Sequence, residues 1–258
     1  MFDERPLRAD VAAVRDTHAP DALVYDTERD FEVLPTSALT DLTMVVDDVE
    51  PRGYDPAWLP ADHPEILDQL VGDDVIVGAP GDGSIAWTIQ TDPPIVLVKP
   101  RIEGSPDDFV AFLVAEALVQ VGLDLPEHFL GFFRDVYADF AAATPTDPTT
   151  TYQLALAATD AYIGLHTRDV FAGWAETDDR ASLHAAWVDA GERIQPRLSG
   201  LGRAVASGET SFTDAAELAA AGVKHDLDLP APFDALDDPA YREHGARYAV
   251  AWAERVFS

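Results

Sequence analysis

The stretch that most limits the fold is Phe109 to Val121, which is apolar on nearly every side and carries Glu116 and Gln120 as its only polar residues. Its longest apolar run, Phe109 to Ala115, is too short to span a bilayer. The segment therefore predicts a helix buried in a protein core. Glu116 and Gln120 are four residues apart and share a face of that helix. An uncompensated buried carboxylate is costly, so Glu116 must meet a cation, take up a proton or look into a cavity. A structural pair with Arg101 or Arg134, or a solvent-facing side, is one answer. A binding or catalytic role for Glu116, with Gln120 beside it, is the other.

Around this segment the pattern predicts an α+β fold, mostly helical. Leu7, Val11 and Val14 recur at helical spacing up to Ala19-Pro20, and Leu39, Leu42, Val46 and Val49 do so behind Thr36 as N-cap, up to Pro51. Asp62-His63-Pro64-Glu65 reads as a capping box opening a short helix through Leu70. The strands sit mid-chain: Val75 to Val77, Ile85 to Ile89 and Ile95 to Val98. With a turn at Pro80-Gly81-Asp82-Gly83 they form a three-stranded antiparallel meander. That turn is not a phosphate loop, since no helix follows it and no Lys-Ser or Lys-Thr completes it.

Ser105-Pro106-Asp107-Asp108 then caps the apolar helix, and Asp124-Leu125-Pro126-Glu127 repeats the device before a helix with Phe129, Phe133, Val136 and Phe140 on one face. Residues 144–151, rich in Pro and Thr, mark the best boundary between an α+β region at 1–143 and a helical region at 152–258, or a connecting loop within one continuous domain. Beyond it run three apolar stripes, forming a C-terminal helical bundle. They are Tyr152, Leu156, Thr159, Ile163, His166 and Val170; then Leu183 through Val205, with Pro196 as a kink; then Tyr241, Gly245, Tyr248 and Trp252. Thr213 to Ala221 makes a short helix between the last two.

Composition bounds the partners. Asp and Glu number 47 against 17 Lys and Arg, a formal charge of -30, with 33 of the acids Asp and only Lys99 and Lys224 as lysines. A charge of that size repels itself in ordinary buffer. At molar salt the Debye length is about 3 Å and the carboxylates hold water and cations instead. The acids are spread evenly, and 47% of the residues are apolar, enough for a core. Scattered single arginines disfavour nucleic acid. The N-terminus is charged from the third residue, so no signal peptide is expected, nor any membrane span. Absence of cysteine removes disulfides, thiol chemistry and cysteine metal sites, and agrees with a cytoplasmic home. The Asp-rich, Lys-poor, Ala- and Thr-rich style resembles haloarchaeal proteins grouped as domains of unknown function. That resemblance covers the whole chain and implies no activity.

A second resemblance rests on Ala115-Glu116-Ala117-Leu118-Val119-Gln120-Val121-Gly122. Fed by the meander, it looks like the active-site helix of zinc metallopeptidases, His-Glu-x-x-His-x-x-Gly. Glu116 and Gly122 match. Ala115 and Val119 stand in place of the zinc-binding histidines, and Leu125 where some members carry a third. The likeness covers residues 75–121 and implies an inactive peptidase scaffold, without metal to activate water, reused for binding.

His166 offers a different site. It lies on its helix's stripe with Asp169 three residues on, and His184 and His244 precede Trp187 and Tyr248 by a turn, so two or three could converge as an acid–base pair or as ligands. The bland reading is a hydrogen-bonded core histidine. Trp58, in a proline-rich loop, is either a surface anchor for another protein or tucked over the sheet. The leading expectation is a non-enzymatic binding or adaptor protein using Glu116, Gln120 and Trp58, with another protein as partner and no cofactor or metal. The alternatives are a small-molecule enzyme with Glu116, His166 and Asp169 as catalytic candidates, and the inactive peptidase-like scaffold.

Overall fold

The computed structural model describes residues 1–79 and 83–258. It is α+β and mostly helical, with contacts that gather into two compact units. The first comprises Met1–Tyr54, Asp68–His128 and Gly173–Ala186; the second comprises Asp55–Leu67, Phe129–Ala172 and Trp187–Ser258. Residues 144–151 lie within the second.

The first unit is built on a four-stranded mixed sheet. Its strands are β1 (Phe2–Glu4), β2 (Leu23–Thr27), β4 (Ile85–Thr88) and β6 (Ile95–Val98), in the order β1-β2-β6-β4. Two more short strands, β3 (Asp48–Val49) and β5 (Thr91–Asp92), pair separately. β6 reads Ile-Val-Leu-Val and is buried throughout, as a central strand should be. It pairs antiparallel with β4 but parallel with β2. The antiparallel meander is therefore corrected: only its last two strands pair as expected, and the N-terminal half supplies the other two. Those strands carry no clean alternation, because Leu23–Thr27 mixes apolar and polar residues on both sides. Val75 and Val77 are buried, but the run Val75 to Val77 joins no sheet; the Val77 carbonyl accepts from the Leu34 amide instead. Of the turn expected at residues 80–83, residues 80–82 lie outside the described residues.

Alternation along the strands divides what covers the sheet. Ile95, Leu97 and Ala86 pack against Phe31, Leu34, Ala38, Leu42, Val75 and Val77. The other face receives α3 (Asp107–Gly122), which packs on β4, β6 and α1 (Ala9–His18). α3 buries nine of its residues, among them Phe112, Val114, Ala115 and Leu118, matching the expected core helix. Its N-cap position is Pro106 rather than Ser105, and no side chain caps it. Its last residue is Gly122, where α1 approaches so closely that a Cβ would stand 2.2 Å from the His18 carbonyl oxygen. α2 (Thr36–Leu42) stops far short of Val49. The β-branched run after it leaves the helix, and Asp48–Val49 becomes β3.

The second unit is helical: α4 (Phe129–Phe133), α5 (Tyr137–Ala143), α6 (Pro148–Gly173), most of α7 (Ala181–Leu198), α8 (Leu201–Ser207), α9 (Phe212–Lys224), α10 (Pro239–His244) and α11 (Ala246–Phe257). The helix expected from Phe129 to Phe140 is interrupted where Arg134 adopts a left-handed φ of 52°. Its aromatic face survives the break: Phe129 meets Tyr137 and Tyr152 edge-on at 5.0 and 5.2 Å, and Phe133 lies 4.8 Å from Phe140. α6 buries Leu154, Leu165 and Phe171 together with the small residues Ala155, Ala158, Ala161 and Gly164, and leaves Leu156, Ile163 and His166 half-buried. Gly164 allows a close approach: a Cβ there would stand 2.9 Å from the Lys224 amide. The last stripe is split by Gly245 at φ 53°, which separates α10 from α11.

Candidate functional site

The residues singled out in the sequence fall in three places. On α3, Glu116 is 7% exposed and accepts a long hydrogen bond from Gln120 Nε2 at 3.4 Å. Gln120 in turn accepts from Trp87 Nε1 at 2.8 Å, so a half-buried polar line joins β4 to the helix. Arg101, one proposed partner of Glu116, holds Asp30 and Glu32. The other residues of the peptidase-like pattern have packing roles. Ala115 and Val119 are 0% exposed, and Gly122 makes room for His18.

On α6, the His166 ring lies 4.5 Å from Tyr162, and burial together with the Arg242 charge pushes its pKa down. Asp169 does not orient it. Its carboxylate is exposed and accepts from Arg242 at 2.8 Å. His184 belongs to the first unit and His244 is exposed at the end of α10. Among the described residues, no group of three or more His, Asp or Glu is placed to hold a metal ion. Trp58 is half-buried in a 3₁₀ turn, Pro56–Trp58, begun by the Asp55 side chain accepting from the Ala57 amide.

A fourth place carries, in sequence, only the pattern of a helix start. Asp124 to Glu127 is no capping box, since α4 begins at Phe129. Asp124 instead takes a φ of 51° and turns the chain back along the sheet. Glu127 is thereby buried to 2% side-chain exposure and His128 to 3%. The Glu127 carboxylate accepts from the Ile89 amide at 3.2 Å and Gln90 Nε2 at 2.8 Å, with the Thr88 hydroxyl as third partner. Gln90 also donates to the Ile76 carbonyl. His128 Nδ1 lies 3.3 Å from the Tyr54 hydroxyl. Its Nε2 has no hydrogen bond of good geometry, its nearest ionisable neighbour being Glu127 Oε1 at 3.7 Å. Burial pushes the Glu127 carboxyl up to about 7 against its donors, and pushes His128 down to about 4. The one signal for this in sequence is a Glu-His pair set between apolar Leu125 and the run from Phe129 to Phe133.

A cleft of about 260 Å³ opens at the other end of α3. Its apolar walls are Pro6, Leu7, Val11, Ala111 and Val114, and its rim is Arg5, Arg8 and Asp107. The rim is braced. Arg8 donates to Asp108 at 2.6 Å, to both oxygens of Asp10 and to Ser182 Oγ, while Arg5 pairs with Asp26. Burial opposes ionisation of Asp10, but the Ser182 hydroxyl, Arg8 and the Val11 amide outweigh it and hold the carboxyl below its usual range. Guanidiniums already matched by carboxylates leave no surplus positive charge for a free anion. The cleft can accept an apolar group through its walls, while the rim excludes water around it.

No helix among the described residues is long and apolar enough to cross a membrane. No curated protein and no solved structure matches the chain. One family model does, over residues 1–258, and the chain belongs to that family, a family of unknown function, DUF7089.

Proposed function

We propose that this is a non-catalytic binding or adaptor protein of the cytoplasm of a salt-adapted cell, and that the cleft beside α1 and α3 receives one large apolar side chain of a partner protein. The observation that carries this reading is the cleft's size and lining. At about 260 Å³ it is smaller than the roughly 300–1,000 Å³ typical of small-molecule pockets. It suits a single anchor residue ringed by polar groups that exclude water. The chemistry elsewhere favours binding over catalysis, because the perturbed groups Glu127 and His128 are sealed from solvent.

Magnitudes set the affinity to expect. An aromatic side chain buries about 150–250 Å², so at roughly 25 cal/mol per Å² its burial contributes about 4–6 kcal/mol. Association costs consume most of that, leaving millimolar binding for an isolated side chain. The test is titration with N-acetyltryptophanamide in molar potassium chloride, read by calorimetry on the unaltered protein and on Ala111→Phe, which fills the cleft. Millimolar binding that disappears in the variant supports the reading; equal binding by both proteins removes it. Salt adaptation has its own measurement. Circular dichroism should show the fold lost as salt is diluted, because the charge of -30 is then unscreened.

A further inference from the structure

The cleft beside α1 and α3 adjoins an open sheet edge. β1 is the outermost strand on its side, paired with β2 and with no other strand among the described residues. The Glu28 amide donates to the Met1 carbonyl and the Arg5 amide to the Val24 carbonyl, so residues 1, 3 and 5 carry the antiparallel ladder to β2. The amides and carbonyls of Phe2 and Glu4 therefore turn outward. Pro6 has no amide to offer and ends the row.

Side chains along β1 alternate between the two faces of the sheet. Phe2 meets the Tyr25 ring at 6.4 Å, on the face packed by Leu34 and Leu42. Arg5 pairs with Asp26 on the opposite face, the one that α3 covers, and Arg5 lines the cleft. A strand added to β1 would keep this alternation. Its residue opposite Arg5 would project beside the cleft, while those opposite Glu4 and Phe2 would face the other way.

Charge decides the occupant. Asp3 and Glu4 are exposed on this edge. A second copy pairing edge to edge would set these carboxylates against the same carboxylates, which is destabilising. The edge fits a different chain, with a basic or uncharged residue opposite Glu4.

We propose that the partner docks as an extended segment that adds an antiparallel strand to the edge of β1, with its anchor side chain, opposite Arg5, entering the cleft. This rests on the anchor proposed above and adds the kind of chain that carries it. Antiparallel pairing is the more stable arrangement and gives Phe2 and Glu4 each a partner for both amide and carbonyl.

The probe is acetyl-Thr-Trp-Lys-Thr-Val-Thr-amide, whose tryptophan, lysine and valine fall opposite Arg5, Glu4 and Phe2. By calorimetry in molar potassium chloride it should bind about tenfold tighter than N-acetyltryptophanamide, or more, because main-chain hydrogen bonds add to the anchor. N-methylation of the lysine and valine, whose amides face β1, should abolish that gain. N-methylation of the threonines flanking the valine, whose amides face away, should leave it. Glu4→Pro removes an outward amide without touching the ladder to β2, so it should remove most of the gain while N-acetyltryptophanamide binds as before. Should that variant fail to fold, the methylated probes decide alone. Equal effects of the two methylation patterns, or a probe no tighter than N-acetyltryptophanamide, overturn the added strand and leave the anchor standing. If N-acetyltryptophanamide itself does not bind, the anchor fails and the strand proposal falls with it. A dimer of the unaltered protein in sedimentation that Glu4→Pro dissociates gives the edge to a second copy and also overturns the proposal.

Discussion

The two ends of α3 are built from similar materials to different ends. At its N-terminal turns Asp107, Ala111 and Val114 line a cleft open to solvent, with charged groups confined to a braced rim. At and beyond its C-terminal end polar groups are tied to one another, Trp87 to Gln120 and Gln120 to Glu116, and the Glu127 carboxyl to Thr88 of β4 and to Ile89 and Gln90 just after it. The difference teaches that this unit seals its raised carboxyl and lowered imidazole, Glu127 and His128, away from solvent. The open end sets the ion-paired Arg8 and Asp10, whose carboxyl is held below its usual range, beside apolar walls.

The sharpest way to break this contrast is to delete the sealed end. Glu127→Ala strands the Ile89 amide and the Gln90 side chain and leaves a cavity, so a loss of about 2–4 kcal/mol in urea unfolding is expected. A loss near zero would show that the site is wetter than the structure has it. Gly122→Ala should cost about 1–3 kcal/mol, because the new Cβ meets the backbone of His18 and α1 must shift. Hydrogen exchange across α1 would report that shift.

Trp87→Phe removes the donor to Gln120 while keeping most of the ring. Losing that donor to a half-buried amide oxygen should cost about 0.5–1.5 kcal/mol, measured the same way. At the open end the effects should shrink. Asp108→Asn breaks an exposed pair with Arg8, and in molar salt it should change stability by less than about 0.5 kcal/mol. A larger loss there would mean that the rim is structural, and the contrast between the two ends would fade.

How legible all this was depends on range. α1, α3 and β6 were readable because each carries an uninterrupted local pattern that its environment agrees with. β1 and β2 were not: Phe2–Glu4 and Leu23–Thr27 are short and mixed, and they become strands only by pairing with each other and with β6 far along the chain. The parallel pairing of β2 with β6 is a long-range fact that hairpin spacing cannot anticipate.

Glu116 stood out because it interrupts an apolar helix. Glu127 did not, because Asp124-Leu125-Pro126-Glu127 has the spacing of a helix cap, and only the left-handed turn at Asp124 sends the carboxyl into the sheet instead. The same rule applies to His166 and Asp169. Their spacing put them on one helix, but Arg242, from another element, takes the carboxylate.

The central claim is that binding belongs to the open end of α3 and not to its sealed end. Intermolecular nuclear Overhauser effects between the indole of N-acetyltryptophanamide and protein methyl groups, recorded in molar potassium chloride, test it most directly. Contacts to Val11, Ala111 and Val114 are predicted. Contacts confined to groups elsewhere, or none at millimolar probe, would contradict it.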